Sequence, residues 1–219
     1  MVTVGYFAQG FQSAFHVSSV MVFPQYCLSP EEYLRGELLA NTKHQLLDGI
    51  PHRMPYVSSD HNLITGNIAC ELKQRLKDTP CKTLIADMKL RVADDFFYPD
   101  VMVVCSEDNA DPFYKTAPTI IIEVLSKTTR KFDQTAKRLR CQNIPSLEEY
   151  VLIEQDKGEI QLFSRTHNWQ SFYYYLGDRI NLASLGISIA VEDIYERVDN
   201  EDVLSYLQQK QQEALQPVS

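Results

Sequence analysis

Glycine is scarce in this sequence. Its 8 glycines are spread through 219 residues, and neither a Walker loop nor a GxGxxG turn can be assembled from them. A G-x-S-x-G nucleophile elbow and an HExxH helix are also missing. No stretch approaches the roughly 18 unbroken apolar residues that a membrane-spanning helix needs. The first 34 positions hold no Lys or Arg, which excludes both a secretory signal with a basic n-region and an arginine-rich transit peptide. The 5 cysteines are odd in number and include no CxxC pair, so zinc-ribbon and thioredoxin-like readings lack support. Scattered buried thiols in a reducing, cytoplasmic compartment are the simplest account of them. Met21-Val22-Phe23-Pro24 reads like a fresh start, which makes residues 1–20 an appended leader.

What is present is ordinary for a globular chain. Hydrophobic residues make up 44% and charged residues 23%, so disorder does not describe the whole. The net charge is −8, which argues against a protein that coats nucleic acid over its entire surface. A local basic face is still available. Lys127, Arg130, Lys131, Lys137, Arg138 and Arg140 are opposed only by Asp133.

The periodicities predict a mixed order of elements. Ser29-Pro30-Glu31-Glu32 forms a capping box with Pro in the first turn of a helix. Leu46 to Ile50 reads as a strand broken by an Asp-Gly turn. Residues 61–77 carry a helical stripe, including Leu63, Ile64, Ile68, Cys70, Leu72 and Leu76. Residues 83–92 and 97–105 read as strands. Residues 119–125 form a β-branched strand that should be buried on both faces. A helix at 128–142 follows, with Phe132, Ala136 and Leu139 on its core side. Hairpin strands flank Gln155-Asp156-Lys157-Gly158, further strands follow at 169–176 and 180–182, and a polar helix or tail closes the chain. The fold class is therefore α/β in the mixed α+β sense. Its divisions are an N-terminal extension at 1–27, one domain at 28–198, and a polar tail at 199–219.

Two acids interrupt apolar strands: Asp100 just after Pro99, and Glu123 within Ile122-Glu123-Val124. An unpaired carboxylate there is costly, so each needs a cation, a hydrogen-bond network or a metal ion. Strand parity puts Ile121, Glu123 and Leu125 on one face. If the two strands are neighbours the carboxylates converge, and hard oxygen ligands of this kind suit Mg²⁺ or Mn²⁺. A buried Arg or Lys partner is the competing account. Asp87 is a third candidate. Asp133 and Lys137 share a helix face at i, i+4, and His61 opens a helix, where it is available to a phosphate.

Taken together, Tyr98-Pro99-Asp100, Ile122-Glu123-Val124-Leu125 and Asp133…Lys137 resemble the PD-(D/E)XK nuclease superfamily. More narrowly, they resemble a bacterial family of restriction-endonuclease-like proteins of otherwise unknown function. Leu46-Leu47-Asp48-Gly49, His61-Asn62, residues 87–92 and Ile144-Pro145-Ser146-Leu147 extend the resemblance over residues 28–195. It implies a mostly four-stranded mixed central sheet flanked by helices, with extra C-terminal hairpins. It also implies Mg²⁺-dependent hydrolysis of phosphodiester bonds, most simply in DNA. On that reading Asp100 and Glu123 hold the metal, with the Val124 carbonyl as a further ligand. The position where the superfamily has its lysine is Leu125, so the role falls to Lys137, with Lys89 as fallback. Gln45 stands where the family often has a metal-assisting Glu. Asp87 and His61 complete the candidate site.

Two other readings compete with the nuclease. One is a weakened or inactive nucleic-acid-binding or interaction module on the same fold. The other is an acidic structural subunit. A twofold dimer would suit cleavage of both strands of a duplex.

Overall fold

The central strand of the molecule is the one whose sequence left it no exposed face. In the computed structural model, which describes residues 27–106 and 111–215, β8 (Ile120–Leu125) is buried at all six positions. It lies between β6 (Val101–Val104), which is antiparallel to it, and β9 (Glu149–Glu154), which is parallel. Beyond β6 lies β3 (Lys82–Ile85); beyond β9 lie β10 (Glu159–Ser164) and β11 (Gln170–Tyr175). This mixed sheet is ordered β11-β10-β9-β8-β6-β3. It has six strands where the resemblance implied about four. The proposed leader at residues 1–20 lies outside the described residues.

A second sheet is ordered β2-β1-β5-β4-β7. Its strands are β1 (His44–Leu47), β2 (Ile50–Arg53), β4 (Lys89–Val92), β5 (Asp95–Phe97) and β7 (Tyr114–Lys115). Two predicted long strands are thereby corrected. Residues 83–92 split into β3 and β4, and residues 97–105 split between β5 and β6, each half joining a different sheet. The break points are Ala86-Asp87 and Tyr98-Pro99-Asp100. Pro99 has no N–H to give a ladder, and a hydrophobicity pattern does not register a change of sheet.

Parity along β8 sorts the core. Ile120, Ile122 and Val124 pack with Ile64, Ile68 and Leu72 of α2 (Ser59–Arg75) and with Ile187 and Ile189 of the C-terminal hairpin β12 (Arg179–Leu182) and β13 (Ile187–Ala190). Ile121 and Leu125 face the other side, with Phe97, Met102, Cys141 and Tyr150. α1 (Pro30–Glu37) carries the predicted capping box, and α5 (Val191–Ile194) and α6 (Glu201–Leu215) complete the chain.

On α2, Leu63 and Cys70 prove exposed rather than part of the apolar stripe. The predicted helix at 128–142 is α3 (Arg130–Phe132), a π-helical turn over Asp133–Lys137, and α4 (Arg138–Cys141). The wider turn shifts the phase of the helix, and Leu139 points to solvent.

The cysteines depart from the scattered-thiol expectation. Cys81 and Cys105 form a disulfide that continues the β3–β6 register by one pair. Cys27 and Cys70 are exposed, and only Cys141 is a buried thiol.

Candidate active site

β6 and β8 pair with Val101 opposite Ile122, so antiparallel register sets Asp100 opposite Glu123. The strands that carry the two acids are thus neighbours, the condition that the sequence reading set for convergence. Position 99 falls opposite Val124 in the same register. Because Pro99 cannot donate, the Val124 carbonyl lacks the ladder partner an N–H there would supply. The Val124 N–H instead donates to Asp100 Oδ2 at 2.7 Å.

The same Asp100 oxygen lies 3.3 Å from His61 Nε2. His61 is buried at the start of α2, where its N–H is capped by Ser58 Oγ. His61 is therefore a partner of Asp100 rather than a surface residue.

Glu123 and Lys137 are each 2% exposed, and Lys137 Nζ sits 2.7 Å from Glu123 Oε1. The ammonium also lies 3.5 Å from Asp133 Oδ1, across the π turn, and donates to the Tyr98 carbonyl at 3.4 Å. Burial opposes the charge on Lys137, but Glu123, Asp133 and Asp100 outweigh it and hold its pKa above the ordinary lysine value. Burial pushes Glu123 well above the ordinary carboxylate range; Lys137 opposes that shift, and Asp133 and Asp100 add to it. Asp133 is raised in the same way, by burial first. One ammonium thus serves two buried carboxylates, Glu123 and Asp133, while Asp100 is partnered by His61.

The donor set fits a hard divalent cation. Asp100, Glu123 and the Val124 carbonyl would supply the oxygens, and a cation there would favour the ionised acids. Among the described residues, no group of three or more His, Cys, Asp or Glu side chains could hold a metal ion on its own.

The remaining candidates sit farther out. Asp87 is largely exposed, in the turn after β3 rather than on a strand, and pairs with Lys43. Lys89 begins β4 and lies 5.4 Å from the Tyr98 ring centroid, so it is not the lysine that meets Glu123. Gln45 is buried on β1, and its Oε1 has no hydrogen-bond partner among the described residues.

The anticipated basic face at 127–140 is half neutralised within the fold, while Lys127 and Lys131 remain exposed. Arg130 pairs with Glu154 and Asp156, Arg140 with Asp48 and Asp95, and Lys137 is buried. A second cationic surface lies in a groove of about 1050 Å³ whose wall includes His61 and Asp100 and whose lining includes Arg53, Tyr56, Lys73 and Lys77. None of those four was singled out from sequence. Lys73 and Lys77 are spaced i, i+4 in the helix predicted over 61–77, though α2 itself ends at Arg75, and Arg53 and Tyr56 precede that helix where no periodicity marks them.

Comparisons with known proteins agree with this fold. The family described as "Uma2: Putative restriction endonuclease" matches residues 30–192. A Synechocystis protein named "Uncharacterized protein slr1290" is 34% identical over 179 residues, covering 79% of this chain and 93% of its own length. A second Synechocystis protein, "Uncharacterized protein sll1609", is 35% identical over 134 residues, or 58% of this chain and 75% of its own. A crystal structure from Anabaena variabilis, titled as a putative nuclease belonging to DUF820, superposes with a TM-score of 0.65 at 15% identity. The match covers 77% of this chain and 97% of that one, and at that identity it speaks for the fold alone.

Proposed function

The chain belongs to the Uma2 family of restriction-endonuclease-like proteins, and from that premise we propose that it is a metal-dependent nuclease. The observation that carries this reading is the pairing of Asp100 with Glu123 across β6 and β8, with the Lys137 ammonium 2.7 Å from the Glu123 carboxylate. Asp100, Glu123 and the Val124 carbonyl would hold Mg²⁺, or Mn²⁺ in its place. When bound, the ion would polarise the scissile phosphate and lower the pKa of a water. Lys137 orients the attacking water and offsets charge developing on the phosphate oxygens. Asp133 holds Lys137 in position. His61 fixes the Asp100 carboxylate through Nε2. Asp87 and Gln45 are peripheral in this reading. DNA is the substrate it favours, and a twofold dimer is the assembly if both strands of a duplex are cut.

Cleavage of labelled DNA in Mg²⁺ tests the assignment. Asp100→Ala and Glu123→Ala each abolish it with the fold retained by circular dichroism, and EDTA does the same to the wild type. Lys137→Ala lowers turnover by about 100-fold or more, the scale of losing one preorganised charge-stabilising donor, with little change in Mn²⁺ affinity by calorimetry. An active Asp100→Ala/Glu123→Ala double variant would sink the site.

A second reading keeps the fold without the reaction. Gln45 is neutral where the family often has Glu, and its buried oxygen is unpartnered. On that reading the protein binds nucleic acid or a partner and does not cut. Mn²⁺ calorimetry separates the two, since a module without a metal site gives no site-dependent heat.

A further inference from the structure

The groove beside Asp100 has a chemistry that the reaction alone does not require. One face of α2 lines it, with Asn62, Gly66, Cys70 and Lys73 at helical spacing, and Lys77 follows just past the helix end. A Cβ on Gly66 would meet nothing within 4 Å, so this helix face is open along its length. Arg53, Lys73 and Lys77 form no ion pair with a described carboxylate, whereas Lys43 is already held by Asp87. A chain of net charge −8 therefore keeps three uncommitted cations along one groove. Such a row tracks a phosphate backbone.

Exposed apolar surface lies among these cations. Tyr56 is 89% exposed, and Val57 and Ile85 are also open to solvent. The Arg53 guanidinium lies 5.8 Å from the Tyr56 ring centroid, presenting a cation and an aromatic face together. A paired duplex hides its base faces and offers phosphates and groove edges. An unpaired strand offers phosphates and bare base faces at once, and a basic groove with an aromatic platform suits that combination.

We infer that this groove takes single-stranded nucleic acid, with Tyr56 stacking a base and Arg53, Lys73 and Lys77 holding the phosphates that lead to Asp100. The inference rests on the nuclease reading only in leading the strand to that carboxylate; the binding itself does not need the reaction.

Fluorescence anisotropy on the full chain in EDTA, where a metal-dependent enzyme cannot cut, tests it with labelled dT20, rU20 and a 20-base-pair DNA duplex. Tyr56→Ala should weaken dT20 by about 5- to 20-fold, within the range for losing one aromatic–base stack. It should leave duplex affinity within about twofold, and Tyr56→Phe should restore the loss. Lys73→Gln/Lys77→Gln should weaken binding and reduce the salt slope by about 1.4, the value for two phosphate contacts on a single strand. Tighter binding of rU20 than of dT20 would support the groove and name RNA as the strand. Equal effects of Tyr56→Ala on single strand and duplex, or no effect on either, would overturn the inference. Mg²⁺ assays separate the two claims. Duplex cleavage untouched by Tyr56→Ala, without single-strand preference, defeats the groove inference and leaves the nuclease standing. Tyr56-dependent dT20 binding with no cleavage of any strand upholds the groove and defeats the nuclease.

Discussion

Cys141 shows how one position takes its chemistry from its surroundings. Burial pushes its thiol far above the ordinary value, an effect that Lys137 opposes and Glu123 reinforces. The thiolate is the reactive form, so Cys141 should be inert in the folded protein. Iodoacetamide at mildly alkaline pH should modify Cys27 and Cys70, which are exposed, and reach Cys141 only after unfolding. Peptide mass spectrometry reads the difference, and rapid native labelling of Cys141 would show that the cluster around Lys137 opens. The site acids were legible for a related reason. Asp100 and Glu123 stood out because a carboxylate inside an apolar strand demands compensation. His61 was less legible, since a histidine after a capping serine has the same sequence whether it faces solvent or a carboxylate.

At the scale of elements, turns and caps were the most readable features because their determinants are local. The Asp48-Gly49 turn is one case. Asp48 and Gly49 take φ values of 51° and 75° between β1 and β2, as the mirror-image hairpin turn requires. A Cβ on Gly49 would approach Cys27 Cβ to 2.8 Å. Gly49→Ala should therefore cost about 1 kcal/mol or more, since the residue must hold positive φ and displace a neighbour. Urea denaturation followed by tryptophan fluorescence measures it, and an unchanged midpoint would contradict the steric account. The helix after β8 was less readable. Its π turn brings Asp133 and Lys137 to bear on Glu123 and rotates Leu139 outward. A fixed 3.6-residue period cannot anticipate an inserted residue.

At the scale of the whole molecule, the Cys81–Cys105 disulfide ties edge strand β3 to β6. β6 leads back to Asp100, and the Ala86 N–H at the end of β3 donates to the Asp100 carbonyl at 3.1 Å. The bridge closes a loop with a sequence separation of 24. By loop-closure entropy, its loss should destabilise the fold by about 3 kcal/mol. Thermal melts with and without reductant, and of Cys81→Ser/Cys105→Ser, should show matching losses. Identical melts would mean that β3 is held by its ladder and side chains alone.

The sequence by itself determined the two-faced burial of the central strand, the caps and hairpin turns, and the two acids that interrupt apolar stretches. Each of these is written in neighbouring residues, through periodicity, turn chemistry or the cost of an unpaired charge. Only the tertiary structure decided that residues 83–92 and 97–105 divide between two sheets, that Lys137 rather than Lys89 meets Glu123, and that Arg130, Lys137 and Arg140 of the basic stretch at 127–140 spend their charge internally. Those outcomes depend on strand order and on which partners reach each charge, and no local pattern encodes either.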